Sequence, residues 1–226
     1  MPQAILHTYD SNEAAVPVDA TNPIPIYDVV TPRFRDAPFS ADYMWALAYG
    51  GRLFTASDAA AGDLVTGQTS FANTTPTFLL NVPAGTVALP LSVDLAQSGV
   101  VAGGAVDVLM EVDRVNRFST GGVSEKVFSP RPSDVGSQCT LRSGATALAG
   151  YGIRVWGATI GQDVSPAEGA VQGPFWKPSI PHFISGPGAF LVFTYAATTG
   201  PSWLWSIAWA EWPASELSSV LHGALS

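Results

Sequence analysis

Charge is what this chain has least of: of 226 residues only 12% are charged, where an ordinary soluble domain carries about 25%. Lysine occurs only at Lys126 and Lys177. Nucleic-acid binders present a basic patch that releases counterions from phosphate. Here the net charge is −8, the arginines are scattered, and the densest pair, Arg33 and Arg35, has Asp36 beside it, so no direct nucleic-acid contact is expected. Cys139 is the only cysteine, which rules out an intrachain disulfide and a cysteine-based zinc cluster. Histidine is nearly as scarce. His7, His182 and His222 lie in separate segments with no HxH or HxxxH pair, so each reads as a solvated or hydrogen-bonded side chain rather than a metal ligand. The start, MPQAILHTYDSNEAAV, has neither the basic region nor the apolar run of a signal peptide. The uncharged stretch from Lys177 to Glu211 is cut by Pro181, Gly186, Pro187, Gly188, Gly200 and Pro201 into strand-sized pieces, too short to span a membrane as helix. The expectation is a product made in the cytoplasm, with no membrane partner.

Glycine and proline are abundant, at 22 and 18 residues, yet 47% of the chain is apolar, which is the balance of a turn-rich folded protein rather than a disordered one. So little charge on so large an apolar chain suits a protein whose surface is covered by neighbours, because charged residues are depleted and aromatics enriched at the cores of interfaces. A homo-oligomer is therefore expected.

The densest feature is PSWLWSIAWAEWP, with Trp203, Trp205, Trp209 and Trp212 inside ten residues. On an extended strand Trp203, Trp205, Ile207 and Trp209 share one face, and Leu204, Ser206, Ala208 and Ala210 share the other. Upstream, GAFLVFTYAA supplies Phe190, Phe193 and Tyr195 in a second extended run, joined to the first through Thr198-Thr199-Gly200-Pro201-Ser202, which is turn chemistry. The two runs read as a β-hairpin at the centre of a larger sheet. Phe190, Phe193, Tyr195, Trp203, Trp205, Trp209 and Trp212 are accordingly the candidate core or subunit-interface residues.

Residues 1–40 carry prolines at 17, 23, 25, 32 and 38 and read as an extended N-terminal arm; residues 41–226 read as one β-sandwich domain with a C-terminal helix. Ser40 to Ala48 has a plausible cap and helical spacing. In FLLNVPAGTVALPLSVDLA, Val87, Leu89, Leu91, Val93 and Leu95 alternate with Thr86, Ala88, Pro90, Ser92 and Asp94, and Pro90 calls for a sheet edge or a bulge. AVDVLMEVD alternates an apolar face with Asp107, Leu109, Glu111 and Asp113. Residues 118–138 read as a long loop with a short strand at Lys126 to Phe128, and QCTLRSGATALAG and YGIRVWGATI as further strands. ASELSSVLHGALS places Leu217, Val220, Leu221 and Leu225 at helical spacing after Ser215. About eight strands with Gly and Pro punctuation predict an antiparallel sandwich or jelly roll, not βαβ units.

Catalytic constellations are hard to assemble. No GxSxG elbow, P-loop or dinucleotide fingerprint occurs, and Cys139 has no neighbouring histidine in sequence. Asp107, Glu111 and Asp113 on one strand face are the nearest approach to acid–base chemistry or a Ca²⁺ site; the simpler reading is a solvent-facing surface paired with Arg114, Arg117 or Arg154. No catalytic residue, metal or cofactor is assigned. Exposed indoles also stack on sugars, but the small apolar opposite face of the tryptophan strand favours burial.

TFLLNVPAGTVALPLSVDLAQSG and GPGAFLVFTYAATTGPSWLWSIAWAEWP together resemble the inner strands of jelly-roll or tumour-necrosis-factor-like virion modules of tailed bacteriophages, over about residues 75 to 213. The resemblance implies an all-β, jelly-roll-like sandwich that assembles as trimers or higher rings with other virion proteins. It implies a capsid decoration, ring or fibre-associated role in the virion and carries no catalytic residues. The alternative expectation is a glycan-binding or receptor-binding module of a phage tail, and a small hydrolase using the acidic strand ranks below both.

Overall fold

The computed structural model describes residues 7–9, 15–17, 25–28, 33–36, 43–58, 64–98, 105–131, 136–161 and 172–216. In chain order the elements are β1 (His7–Tyr9), β2 (Ala15–Pro17), β3 (Pro25–Asp28), β4 (Arg33–Asp36), α1 (Tyr43–Tyr49), β5 (Leu53–Ser57), β6 (Val65–Thr66), β7 (Phe78–Val82), β8 (Thr86–Ser98) and β9 (Ala105–Asp113). They continue with β10 (Phe118–Ser124), β11 (Val127–Phe128), β12 (Thr140–Ala147), β13 (Ile153–Gly161), β14 (Gln172–Trp176), β15 (Ile184–Ser185), β16 (Gly188–Tyr195) and β17 (Ser202–Pro213). Two antiparallel sheets carry the molecule. One has the strand order β10-β12-β7-β16-β9-β13; the other runs β11-β5-β17-β8-β14, with β15 also on β8 and β6 on β17. The protein is an all-β sandwich, as its strand-sized apolar runs predict.

The main core lies between the sheets. Phe78, Leu80, Val108, Met110, Phe190 and Val192 from one sheet meet Phe54, Val93, Trp203, Trp205, Ile207 and Trp209 from the other. The alternation of β9 is as its sequence predicts, with Val106, Val108 and Met110 inward. Strand β16 is buried on both faces: Phe190 and Val192 enter this core, while Ala189, Leu191 and Phe193 pack outward against Leu79, Ala145 and Ala147. A central strand covered on both sides reads as a continuous apolar run, which is how GAFLVFTY reads.

Three sequence expectations are corrected. The aromatic runs do not form a hairpin: β16 pairs with β7 and β9 in one sheet, and β17 with β8 and β5 in the other. Gly67 and Gln68 enter at the crossing and take the backbone bonds a hairpin would have closed, with Gly67 N–H donating to Pro201 O at 2.7 Å, Gln68 N–H to Thr194 O at 2.8 Å and Ala196 N–H to Gln68 O at 3.0 Å. A Cβ on Gly67 would lie 2.2 Å from Thr194 Oγ1, so this close approach requires glycine. Pro83-Ala84-Gly85 likewise links opposite sheets, from β7 to β8.

The second correction concerns β8. Its apolar set does not share one face, because the register against β17 shifts between Ala208 and Trp209, opposite Ser92 and Pro90. Val93 and Leu95 point into the main core with Ala88, whereas Leu89 and Leu91 join a second cluster with Leu47, Leu53, Ala210 and Trp212 on the outer face. An irregularity at the proline is what its missing N–H demands. On the other edge of β8, β15 pairs at Val87 and Ala88 and β14 between Val93 and Ala96, leaving Pro90 between the two partners. Third, residues 118–124 are not loop but strand β10, paired with β12 around Gly121 and Gly122 at positive φ. The short strand expected beside it is β11.

The helix expected near Ser40 to Ala48 is α1, and Leu47 buries it against the outer face of the second sheet. Within residues 1–40 the described strands form two separate pairs, β1 with β2 and β3 with β4. Helix resumes at 214–216 after β17; Leu217, Val220, Leu221 and Leu225 lie outside the described residues.

Candidate functional site

The seven residues singled out from sequence do not converge on one surface. Trp203 and Trp209 are 0% exposed, and Trp205 and Phe190 are buried with them in the main core. Trp212 sits in the outer cluster beneath α1, with its ring 5.9 Å from that of Phe183. Phe193 lies on the opposite face of its sheet, under Phe71 at 5.3 Å, and half-buried Tyr195 lies 5.7 Å from Phe71. These rings are the interior of a single chain, and as the backbone stands they present no indole platform to a sugar.

The Trp203 and Trp209 indoles are hydrogen-bonded within that interior, whereas Trp205 Nε1 is buried with no hydrogen-bond partner among the described residues. Trp203 Nε1 donates to Thr194 Oγ1 at 2.9 Å, and Thr194 Oγ1 lies 2.8 Å from Thr77 Oγ1, so a buried polar chain joins the two sheets. Trp209 Nε1 donates to Glu211 at 2.6 Å. Glu211 is on the inward face of β17 and nearly inaccessible. It also accepts from the Ser137 hydroxyl, from Gln138 N–H at 2.8 Å and from Cys139 N–H at 3.4 Å. A buried carboxylate is tolerated when its oxygens are saturated with donors. Burial pushes the Cys139 thiol far up, and the charge of Glu211 and its hydrogen bond push it further, so this cysteine stays protonated.

The acidic strand is likewise committed. Asp107 accepts from the Thr159 hydroxyl. Glu111 is buried and accepts from Gly152 N–H at 3.3 Å, not solvent-facing as its alternation predicts. Asp113 pairs with Arg117 at 2.9 Å. Arg117, 1% exposed, also donates to the carbonyls of Leu148, Asn73 and Gly150 at 2.8, 3.0 and 2.9 Å, so one guanidinium fastens its own loop to two others. Tyr195, near Asp107, has its hydroxyl pKa raised by burial and by that carboxylate, partly offset by Arg154. Among the described residues no group of three or more His, Cys, Asp or Glu side chains is placed to hold a metal ion.

One surface feature is a concavity large enough to admit a small ligand. Where β9 ends, β13 begins and the chain approaches β15, a partly open cleft of about 380 Å³ is lined by Asp113, Arg114, Tyr151, Ile153, His182 and Phe183, among others. That volume lies at the lower end of small-ligand sites. Tyr151 is 80% exposed and Phe183 50%. The backbone explains the display: Gly150 and Gly152 flank Tyr151, and Pro181 precedes His182-Phe183, so neither ring belongs to a strand face that the sandwich could bury. Sequence reasoning passed over this cleft, although an aromatic residue set between two glycines in a turn is a readable sign of display. No family model matches the chain, and neither a curated protein nor a solved structure matches it.

Proposed function

We propose that the chain is a non-enzymatic structural component of a bacteriophage virion, a jelly roll that assembles through contacts with its own copies and with other virion proteins. The observation that carries this reading is the strand order. Counting β5, β7, β8, β9, β13, β14, β16 and β17 as one to eight, the sheets run 1-8-3-6 and 2-7-4-5, with β10 to β12 inserted between the fourth and fifth. That order supports the wrapping of a double Greek key, an architecture recurrent in viral capsid and lectin domains. The scarcity of charge adds support, since a surface with so little Lys and Glu suits coverage by neighbours. In this reading residues 1–40 reach an adjacent subunit, the protein is made in the host cytoplasm, and it resides in the particle as a decoration, ring or fibre-associated element.

Mass spectrometry of purified particles, with light scattering on the isolated chain, tests this. The chain is expected in the particles at a symmetric copy number and as a trimer or larger in solution. Its absence from particles, together with a clean monomer at micromolar concentration, would overturn the reading.

A second reading, a glycan-binding or receptor-binding module of a tail, is favoured by the cleft with its displayed Tyr151 and Phe183 rings. The buried tryptophans take no part in it.

A further inference from the structure

The charge inside the cleft is not the charge of the chain. Asp113 brings the carboxylate that lines it, but that group is engaged by Arg117 at 2.9 Å and by the Val115 N–H at 3.3 Å. Arg114, the next residue, is exposed and makes no hydrogen bond or ion pair among the described residues. His182 also lines the cleft. In a protein of net charge −8, the uncommitted charge at this one concavity is therefore positive. A guanidinium with its donors unspent is matched by a carboxylate, which it grips through two parallel hydrogen bonds.

The remaining lining fixes the rest of the ligand. Tyr151 and Phe183 offer flat apolar faces, and Tyr151 adds a phenolic hydroxyl. A pyranose ring has the complementary construction, with apolar C–H faces and a polar equator of hydroxyls. A second copy of this chain is a poorer occupant: a two-fold contact centred here would bring Arg114 toward its own image, and like charges placed together oppose association.

We propose that this cleft binds a carboxylate-bearing saccharide, a sialic or uronic acid unit, with Arg114 receiving the carboxylate and the rings of Tyr151 and Phe183 carrying the sugar face. The proposal rests on the receptor-binding reading and narrows it to a ligand class and a place.

Titration of the full chain with sialyllactose, with trigalacturonate and with neutral lactose, followed by saturation-transfer NMR and calorimetry, tests it. At least one acidic probe is expected to bind about tenfold or more tightly than lactose, and to weaken with added salt. Arg114→Ala and Tyr151→Ala, both at exposed positions, are each expected to weaken that binding about tenfold while leaving thermal unfolding unchanged; Arg114→Lys should recover part of it. Equal binding of lactose and the acidic probes, lost in Tyr151→Ala alone, would overturn the acidic class while the receptor-binding reading stands. If none of the three probes binds at millimolar concentration, the proposal is wrong. If in addition Tyr151→Ala lowers the oligomeric mass, the cleft is a subunit contact and the receptor-binding reading falls with it.

Discussion

Glu211 sits where an apolar side chain would be expected, on the inward face of the tryptophan strand. Its neighbours explain why it survives there: an indole N–H, a hydroxyl and two backbone N–H groups converge on its two oxygens. Removing the carboxylate strands those donors without water, at about 1–3 kcal/mol for each that finds no substitute. Glu211→Ala is expected to lower unfolding stability in urea by about 3 kcal/mol or more, and Glu211→Gln, which keeps one acceptor oxygen, by less. Cys139 gives a pH dependence of definite sign. Its thiol is held protonated in the fold by burial and by Glu211, while in the unfolded chain it ionises near its ordinary value of about 8.5. A folded pKa raised above the unfolded one contributes fully below pH ~8.5, and that contribution declines as pH rises further, by about 1.4 kcal/mol per pH unit. Wild type is therefore expected to lose stability between pH 8.5 and 10 more steeply than Cys139→Ala, measured by denaturant titration at each pH. In the sequence Glu211 is only the charged residue between Ala210 and Trp212, because nothing local reveals that residues 137–139 return to meet it.

At the scale of elements, the short crossings from β7 to β8 and from β16 to β17 do more than any hairpin. Strands β16 and β17 were recognisable from their alternating or continuous apolar runs and from the turn residues between them. Which sheet each would join was not, because a six-residue link is compatible with both a hairpin and a crossing. The decision lies with Gly67 and Gln68, about 130 residues upstream, which occupy the mouth of the crossing. The polar chain through Thr77, Thr194 and the Trp203 indole then fastens one sheet to the other inside the core. Thr194→Val keeps the shape and removes the acceptor, and is expected to cost about 1–3 kcal/mol, whereas Thr194→Ser should stay near wild type; equilibrium unfolding of both variants checks this. A Thr194→Val protein as stable as Thr194→Ser would show that the indole N–H finds another partner. The phase change in β8 teaches a related lesson. Pro90 signalled an irregularity, yet only the pairing with β17 shows that Leu89 and Leu91 turn outward to receive α1 while Val93 and Leu95 stay inward.

For the whole molecule, the burial of the tryptophans is the property most open to a direct measurement. Five of the seven, Trp176, Trp203, Trp205, Trp209 and Trp212, are buried, and Trp156 is half-buried. Intrinsic fluorescence is expected to be blue-shifted, weakly quenched by iodide, and to shift red cooperatively on unfolding. Addition of lactose or sialyllactose is expected to leave the emission maximum in place, since the cleft ligands meet Tyr151 and Phe183 rather than an indole. Strong iodide quenching of the native protein would contradict this arrangement of the core.

The sequence by itself determined that this chain is an all-β protein whose apolar mass is concentrated near its C-terminus, because alternation, turn residues and the scarcity of charge are local properties that any segment carries with it. It also determined that Trp203, Trp205 and Trp209 share a face with Ile207, since that follows from the pleat of one strand. Tertiary structure alone decided that the two aromatic strands stand in opposing sheets, that Glu211 and Arg117 are sealed inside by partners from distant loops, and that Arg114, Tyr151 and His182 meet at one cleft. The reason is physical: pairing between strands far apart in sequence is chosen by the summed packing and hydrogen bonding of the whole sandwich, a quantity that no single segment contains.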